Sequence, residues 1–160
     1  LFLLEKTMID DRSVQILVEF YEESMRNSRH IQEQRVGMTN FLITVNSAIV
    51  GLVVAKGFDL TTLPLSITLS VLGFYGVLAS MKFTQHYHHY YLQAKGVRQY
   101  LAEIVPDSKI EEIYENAREM NRQKYPRLEK YIKIYVLWSL LHVFFIVVGL
   151  LLIIYTITKW

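Results

Sequence analysis

The sequence predicts an all-α membrane protein with three transmembrane helices, a cytoplasmic helical hairpin and an N-terminal amphipathic helix. Three observations carry that prediction. First, three runs free of charge, Met38–Ala55, Leu65–Met81 and Ile134–Thr158, match the roughly 17–25 apolar residues needed to cross hydrocarbon about 30 Å thick. Second, the 160-residue chain is 52% hydrophobic with a mean hydropathy of +0.21 yet keeps 20% charged residues, so charge and apolar surface must be segregated along it. Third, the charged segments outside those runs keep helical spacing and contain few breakers.

Residues 1–35 form the N-terminal cytoplasmic segment. The chain opens at Leu1 rather than Met, which reads as a fragment of a slightly longer protein, and its four leading apolar residues are too few for a signal peptide. From Thr7 to Arg35 the apolar residues Val14, Leu17, Val18, Tyr21 and Met25 recur at helical intervals among Asp, Glu and Arg. No Pro or Gly interrupts the passage into Gly37, so this helix runs into the first span, about 36–56.

The segment Gly57–Pro64 carries Gly and Pro as breakers and little charge, as a short loop between antiparallel spans requires. The second span covers about 65–83, with Lys82 able to extend its amine to the membrane surface; the two spans make a transmembrane hairpin over 36–83. The helix continues beyond Phe83 and ends before Pro106, because the residue preceding a proline is driven from helical angles. The cytoplasmic hairpin is thus 84–132, its second helix opening at Ser108-Lys109-Ile110-Glu111 as a capping box and interrupted near Pro126. The third span, 133–160, has Tyr135, Trp138, Tyr155 and Trp160 near its ends, where interfacial aromatics belong.

Basic residues orient the chain. Arg26, Arg29 and Arg35 precede the first span, and Lys95, Arg98, Lys109, Arg118, Arg122, Lys124, Arg127 and Lys130 lie between the second and third. The opposite side has only Lys56 and Lys159, so the N-terminus and middle segment are expected in the cytoplasm and the C-terminus outside. The apolar faces of Val14–Met25 and of Ile110, Ile113, Tyr114 and Ala117 are expected to bury against each other.

Several functions are excluded or lack support. The chain has no cysteine, which removes disulfides, thiolate metal sites and cysteine nucleophiles. A net charge of +2 without a basic stripe argues against nucleic acid. No phosphate-binding glycine loop, HExxH, GxSxG or paired-carboxylate constellation is present; no enzyme and no cofactor are expected. Glu111, Glu112, Glu115, Arg118, Glu119 and Arg122 read as a solvated or partner-facing ion-pair surface.

The candidate site residues are small or polar and lie inside the spans. Asn40, Thr44, Ser47 and Gly51, with Ala55, share one face of the first span; Ser66, Ser70 and Gly73, with Val77 and Ser80, repeat the theme in the second. In the third, His142, Gly149 and Thr156 recur at sevens with Ser139 nearby. Such stripes either pack the three helices of one protomer or line a pore or an oligomer interface. His142 is the one group in the uncharged runs that titrates near neutral pH, which makes it a proton-sensing or gating candidate, or a neutral side chain held by a hydrogen bond. His86 and His89 share a helix face and could touch one metal, although two ligands fall short of a zinc site; an aromatic belt of Tyr and His is the competing reading.

The blocks Tyr21–Arg35 and Thr39–Gly51, an amphipathic helix entering an Arg-rich juxtamembrane turn and then an Asn-Ser-Ala stretch, resemble the RipA-like octameric membrane proteins of bacteria. The resemblance covers about the first third of the chain and implies a cytoplasmically exposed ring in the bacterial inner membrane. The expected function is a homo-oligomeric assembly in the lipid bilayer, a pore-forming or membrane-perturbing effector gated by its cytoplasmic helices. The alternatives are an accessory subunit whose helices dock a cytoplasmic protein, and a metal- or proton-handling membrane protein.

Overall fold

Long uninterrupted helices follow from long stretches without Pro or Gly-rich breaks. In the computed structural model, residues 11–126 and 134–159 are described. Helix α1 spans Asp11–Lys56, α2 Leu63–Ile104, α3 Ile110–Lys124 and α4 Ile134–Thr158. Short 3-10 turns at Leu60–Thr62 and Pro106–Ser108 make two of the connections, and no strand occurs among the described residues. Three helices, α1, α2 and α4, are long and apolar enough to cross a membrane.

The turn chemistry explains where α1 and α2 stop. Gly57 takes a left-handed φ of 82° and Phe58 one of 58°, which ends α1; glycine adopts that region without a Cβ penalty. Asp59 then organises the reversal. Its carboxylate accepts the Thr61 hydroxyl at 2.5 Å, and its carbonyl accepts Thr62 Oγ1 at 2.7 Å. The Thr61 hydrogen bond holds the Asp59 carboxyl below its ordinary range. Pro64, expected in the loop, sits instead in the first turn of α2, where its missing N–H costs nothing. At the far end α2 closes at Ile104, two residues before Pro106.

The expected capping box at Ser108 does not form. Lys109 adopts a left-handed φ of 52° and stands at the N-cap without a side-chain cap bond, while the Ser108 hydroxyl donates to the Val105 carbonyl at 2.6 Å. The left-handed residue sets the start of α3 one position later.

The chain divides into two compact units. One takes its described residues from Leu1–Ile31 and His86–Lys130, the other from Gln32–Gln85 and Tyr131–Trp160. In the first unit Ser24, Ser28, Ala94, Arg98 and Leu101 are buried. The expected burial of Ile113 and Ala117 against α1 does not occur: Ile113 is 65% exposed and Ala117 is exposed, whereas Tyr114 turns toward α2. In the second unit Ile49, Val53, Leu69 and Phe145 make a core drawn from α1, α2 and α4. Arg127, Lys130 and Trp160, used above for orientation and interface, and the chain before Asp11 lie outside the described residues.

Candidate functional site

The second unit has its polarity inverted relative to a water-soluble bundle. Thr39, Asn46, Ser66, His142 and Thr156 are 0% exposed. Outward point Phe41 at 65%, Val71 and Phe74 at 58%, Met81 at 61% and Leu151 at 59%.

The stripes of α2 and α4 are its packing seam. Ser66, Gly73 and Ser80 are buried and Ser70 is half-buried, and His142, Gly149 and Thr156 are buried opposite them. The glycines permit close helix approach. A Cβ on Gly149 would stand 2.9 Å from the Ser70 backbone nitrogen and 3.0 Å from the Ser66 carbonyl oxygen. One on Gly73 would meet the Ile146 nitrogen at 2.9 Å, and one on Gly76 would lie 2.3 Å from His142 Nδ1. The His142 ring therefore rests in the notch that Gly76 leaves. Ser139 is half-buried and donates to its own helix at the Tyr135 carbonyl, 3.1 Å.

Asn40, Thr44, Ser47 and Gly51 take the opposite course and are all exposed. The inward seam of α1 is Thr39, Leu42, Asn46, Ile49 and Val53, spaced by three and four. At 100° per residue this seam lies about 160° from the outward stripe. Thr44 satisfies its hydroxyl on the Asn40 carbonyl at 3.0 Å; no Cβ obstacle stands within 4 Å of Gly51. Helix α1 thus carries two polar faces, one inside the unit and one on its surface.

Sequence reasoning had not singled out Asn46, Thr39 or Gly76. The signal for the first two was available, since Thr39, Asn46 and Val53 repeat at sevens beside the chosen stripe. Neither the Asn46 amide nor the His142 ring makes a hydrogen bond among the described residues, and the same holds for the Thr39, Ser80 and Thr156 hydroxyls. Such groups carry a desolvation cost of about 1–3 kcal/mol each.

The first unit has its own polar cluster. Arg98, its side chain 8% exposed, pairs with Glu111 through Nε at 3.1 Å and Nη2 at 3.4 Å. Its guanidinium carbon lies 3.2 Å from the centroid of the Tyr114 ring, and Tyr114 shares a hydrogen bond of 2.8 Å with Tyr91. Burial pulls the Arg98 pKa down, but Tyr114 and Glu111 outweigh it and raise it above its ordinary value. The Tyr91 contact, then Arg98, lowers Tyr114, while the bond to Tyr114 raises Tyr91. The cluster clasps α3 to α2. Glu111 accordingly leaves the surface ion-pair ladder, which consists of Glu115–Arg118 at 3.5 Å and Glu119–Arg122 at 3.8 Å.

His86 and His89 are both exposed, and His89 Nε2 lies 3.2 Å from Gln93 Nε2. No group of three metal-ligating side chains occurs among the described residues. At the end of the second unit, Arg35 is 3% exposed, bonded to Gln32 and set 5.4 Å from the Trp138 ring centroid. Comparison with family models, with curated proteins and with solved structures returns no match.

Proposed function

We propose that this chain spans the membrane three times and assembles with copies of itself into a ring that perforates the bilayer, with α1 lining the opening. The inverted polarity of the second unit supports insertion. Water would penalise so continuous an apolar exterior, whereas lipid gives no penalty to it and favours polar groups turned inward. The resemblance of the blocks 21–35 and 39–51 to RipA-like octameric proteins favours a ring and a bacterial inner membrane. The excess of Lys and Arg outside the short hairpin loop supports a cytoplasmic N-terminus.

One observation carries the oligomer and the pore: Asn40, Ser47 and Gly51 occupy the surface of a helix whose other polar face is already used inside the unit. Facing hydrocarbon, the Asn40 amide has no hydrogen-bond partner in the lipid. Against a neighbouring protomer or a water-filled lumen it has one. No enzymatic step is assigned to any residue.

Ion flux in vesicles containing the purified protein tests the reading. Asn40→Leu and Ser47→Leu should suppress flux while Val71→Leu, on an outward apolar position of α2, leaves it unchanged. Vesicles that stay sealed under every stimulus, or variants that conduct like the parent, would remove the pore from the account.

A further inference from the structure

The three helices of the second unit gather buried polar side chains in one stretch of its interior. A Cβ on Gly76 would meet His142, one on Gly73 would meet Ile146 and one on Gly149 would meet Ser70, so α2 and α4 run antiparallel. Helix α1 reverses into α2 through Gly57–Thr62, inside the same unit, and therefore runs parallel to α4. Ile49 of α1 and Phe145 of α4 belong to one buried cluster. Asn46 and His142 each stand three residues before those positions, about one turn toward the end that carries Arg35 and Trp138. In the same direction Ser80 lies about one turn past Gly76, and Thr39 about two turns past Asn46.

Both ring nitrogens of His142, both amide atoms of Asn46 and the hydroxyls of Thr39 and Ser80 are buried without a hydrogen-bond partner among the described residues. Packing alone does not call for them, since apolar side chains fill such layers without the desolvation cost. On the other side of His142 the interior turns to hydrocarbon: Ile49, Val53, Leu69 and Phe145 close it. The buried polar stretch thus runs from His142 toward the Arg35 end and stops at the apolar cluster.

We infer that His142 is a proton-binding site reached from the Arg35 end alone, with Asn46 as its positioning residue and the apolar cluster as the barrier beyond it. The lone pair of one ring nitrogen takes a proton from water arriving past Thr39 and Ser80, and both ring nitrogens then donate. The Asn46 carbonyl oxygen and the two hydroxyls are the acceptors on that side, so the atoms left unpartnered around the neutral ring gain partners in the charged form. No fixed charge competes at this depth. Met38–Ala55 of α1 has no ionisable side chain, Leu65–Met81 of α2 has only Tyr75, 53% exposed, and α4 adds only Tyr135 and Tyr155, both exposed. Arg35 stands eleven residues from Asn46, roughly 16 Å along α1, and Lys82 is exposed. A proton held at a dead end reads the pH of one compartment and conducts nothing, unlike the opening proposed between copies. The inference rests on the three spans proposed above and does not need the ring.

The test uses the full chain in sealed vesicles. Trp160→Phe leaves Trp138, four residues before His142 on α4, as the one tryptophan, and a neighbouring imidazolium quenches its fluorescence. His30→Gln, His88→Gln and His89→Gln with His86→Cys leave His142 as the one histidine and supply the one thiol. A membrane-impermeant maleimide then measures the fraction of chains whose α2 C-terminal end faces outward. Lowering the outside pH from about 8 to about 5 should quench Trp138 in that same fraction, and a proton ionophore should add the rest. His142→Gln should abolish the quenching, and Asn46→Leu should remove most of it with helical circular dichroism unchanged. The NMR shifts of the His142 ring nitrogens, followed without either change, report protonation whether or not those variants fold. Ring shifts and fluorescence that stay constant over this range would overturn the inference, as would quenching that follows acid on the opposite side or persists in His142→Gln. Chains that an alkaline wash strips from the vesicles would remove the spans and the inference together. Monomeric chains that still answer acid from one side would uphold the inference and remove only the ring.

Discussion

Replacing Gly149 by Ala should weaken the second unit, while the same change at Gly51 should strengthen the isolated protomer. At Gly149 the new methyl would meet Ser70 Oγ at 2.2 Å, the Ser70 nitrogen at 2.9 Å and the Ser66 carbonyl at 3.0 Å. The hydroxyl can rotate away, but the backbone atoms cannot. Helices α2 and α4 must therefore part by several tenths of an ångström to regain ordinary contact. Overpacking costs about 1–3 kcal/mol and the better helix propensity of Ala returns about 1, leaving a net loss of up to about 2 kcal/mol. At Gly51 nothing obstructs the methyl, so only the gain of about 1 kcal/mol remains. Unfolding by SDS in mixed micelles that hold single protomers, followed by helical circular dichroism, ranks the three proteins. Gly76→Ala adds a specific check, because all three of its nearest obstacles belong to the His142 ring. His142→Ala should rescue Gly76→Ala by about 1 kcal/mol or more through direct coupling, and should not rescue Gly149→Ala. Gly149→Ala as stable as Gly51→Ala would refute the seam of α2 and α4.

Asn46→Leu should leave the protomer equally stable or stabilise it by about 1–3 kcal/mol, since both amide atoms are buried without a partner among the described residues; a loss above about 1 kcal/mol in the same assay would mean that the amide is hydrogen-bonded. Glu111→Gln should expose the Arg98 cation and release α3, seen as faster amide exchange across 110–124 with no change in the helices of the second unit. In the ultraviolet titration of tyrosinate, the component that ionises below the usual tyrosine range should vanish in Tyr114→Phe. The sign follows from the lowered Tyr114 pKa: its anion is favoured in the fold, so ionising Tyr114 costs less there than in the unfolded chain, and the folded state does not lose stability as pH rises through that step.

Length and periodicity made the apolar helices legible. The uncharged run Ile134–Thr158 coincides with α4, Pro106 marked the end of α2 at Ile104, and the unbroken stretch through Gly37 became the single helix α1. The direction of each stripe was not legible, because rotation about a helix axis is set by the partners it packs on. Small polar residues on α1 occupy both faces, and only burial distinguishes Asn46, inside, from Asn40, outside. The capping box failed for a local reason: Ser108-Lys109-Ile110-Glu111 has the right residues, but the left-handed Lys109 delays the helix by one position. Arg98 and Glu111 stand thirteen positions apart across a turn. No helical spacing of charges reveals such a pair, so Glu111 looked like one more member of the surface ladder.

The mass of the particle in detergent or lipid nanodiscs bears most directly on the central claim. Native mass spectrometry should find one species at a whole multiple, six or more by analogy with the proposed ring, of the 18.8 kDa chain, with no second protein bound. A monomer, or a particle holding a different chain in fixed ratio, would contradict the self-assembled ring and leave the outward stripe of Asn40, Ser47 and Gly51 to a foreign partner.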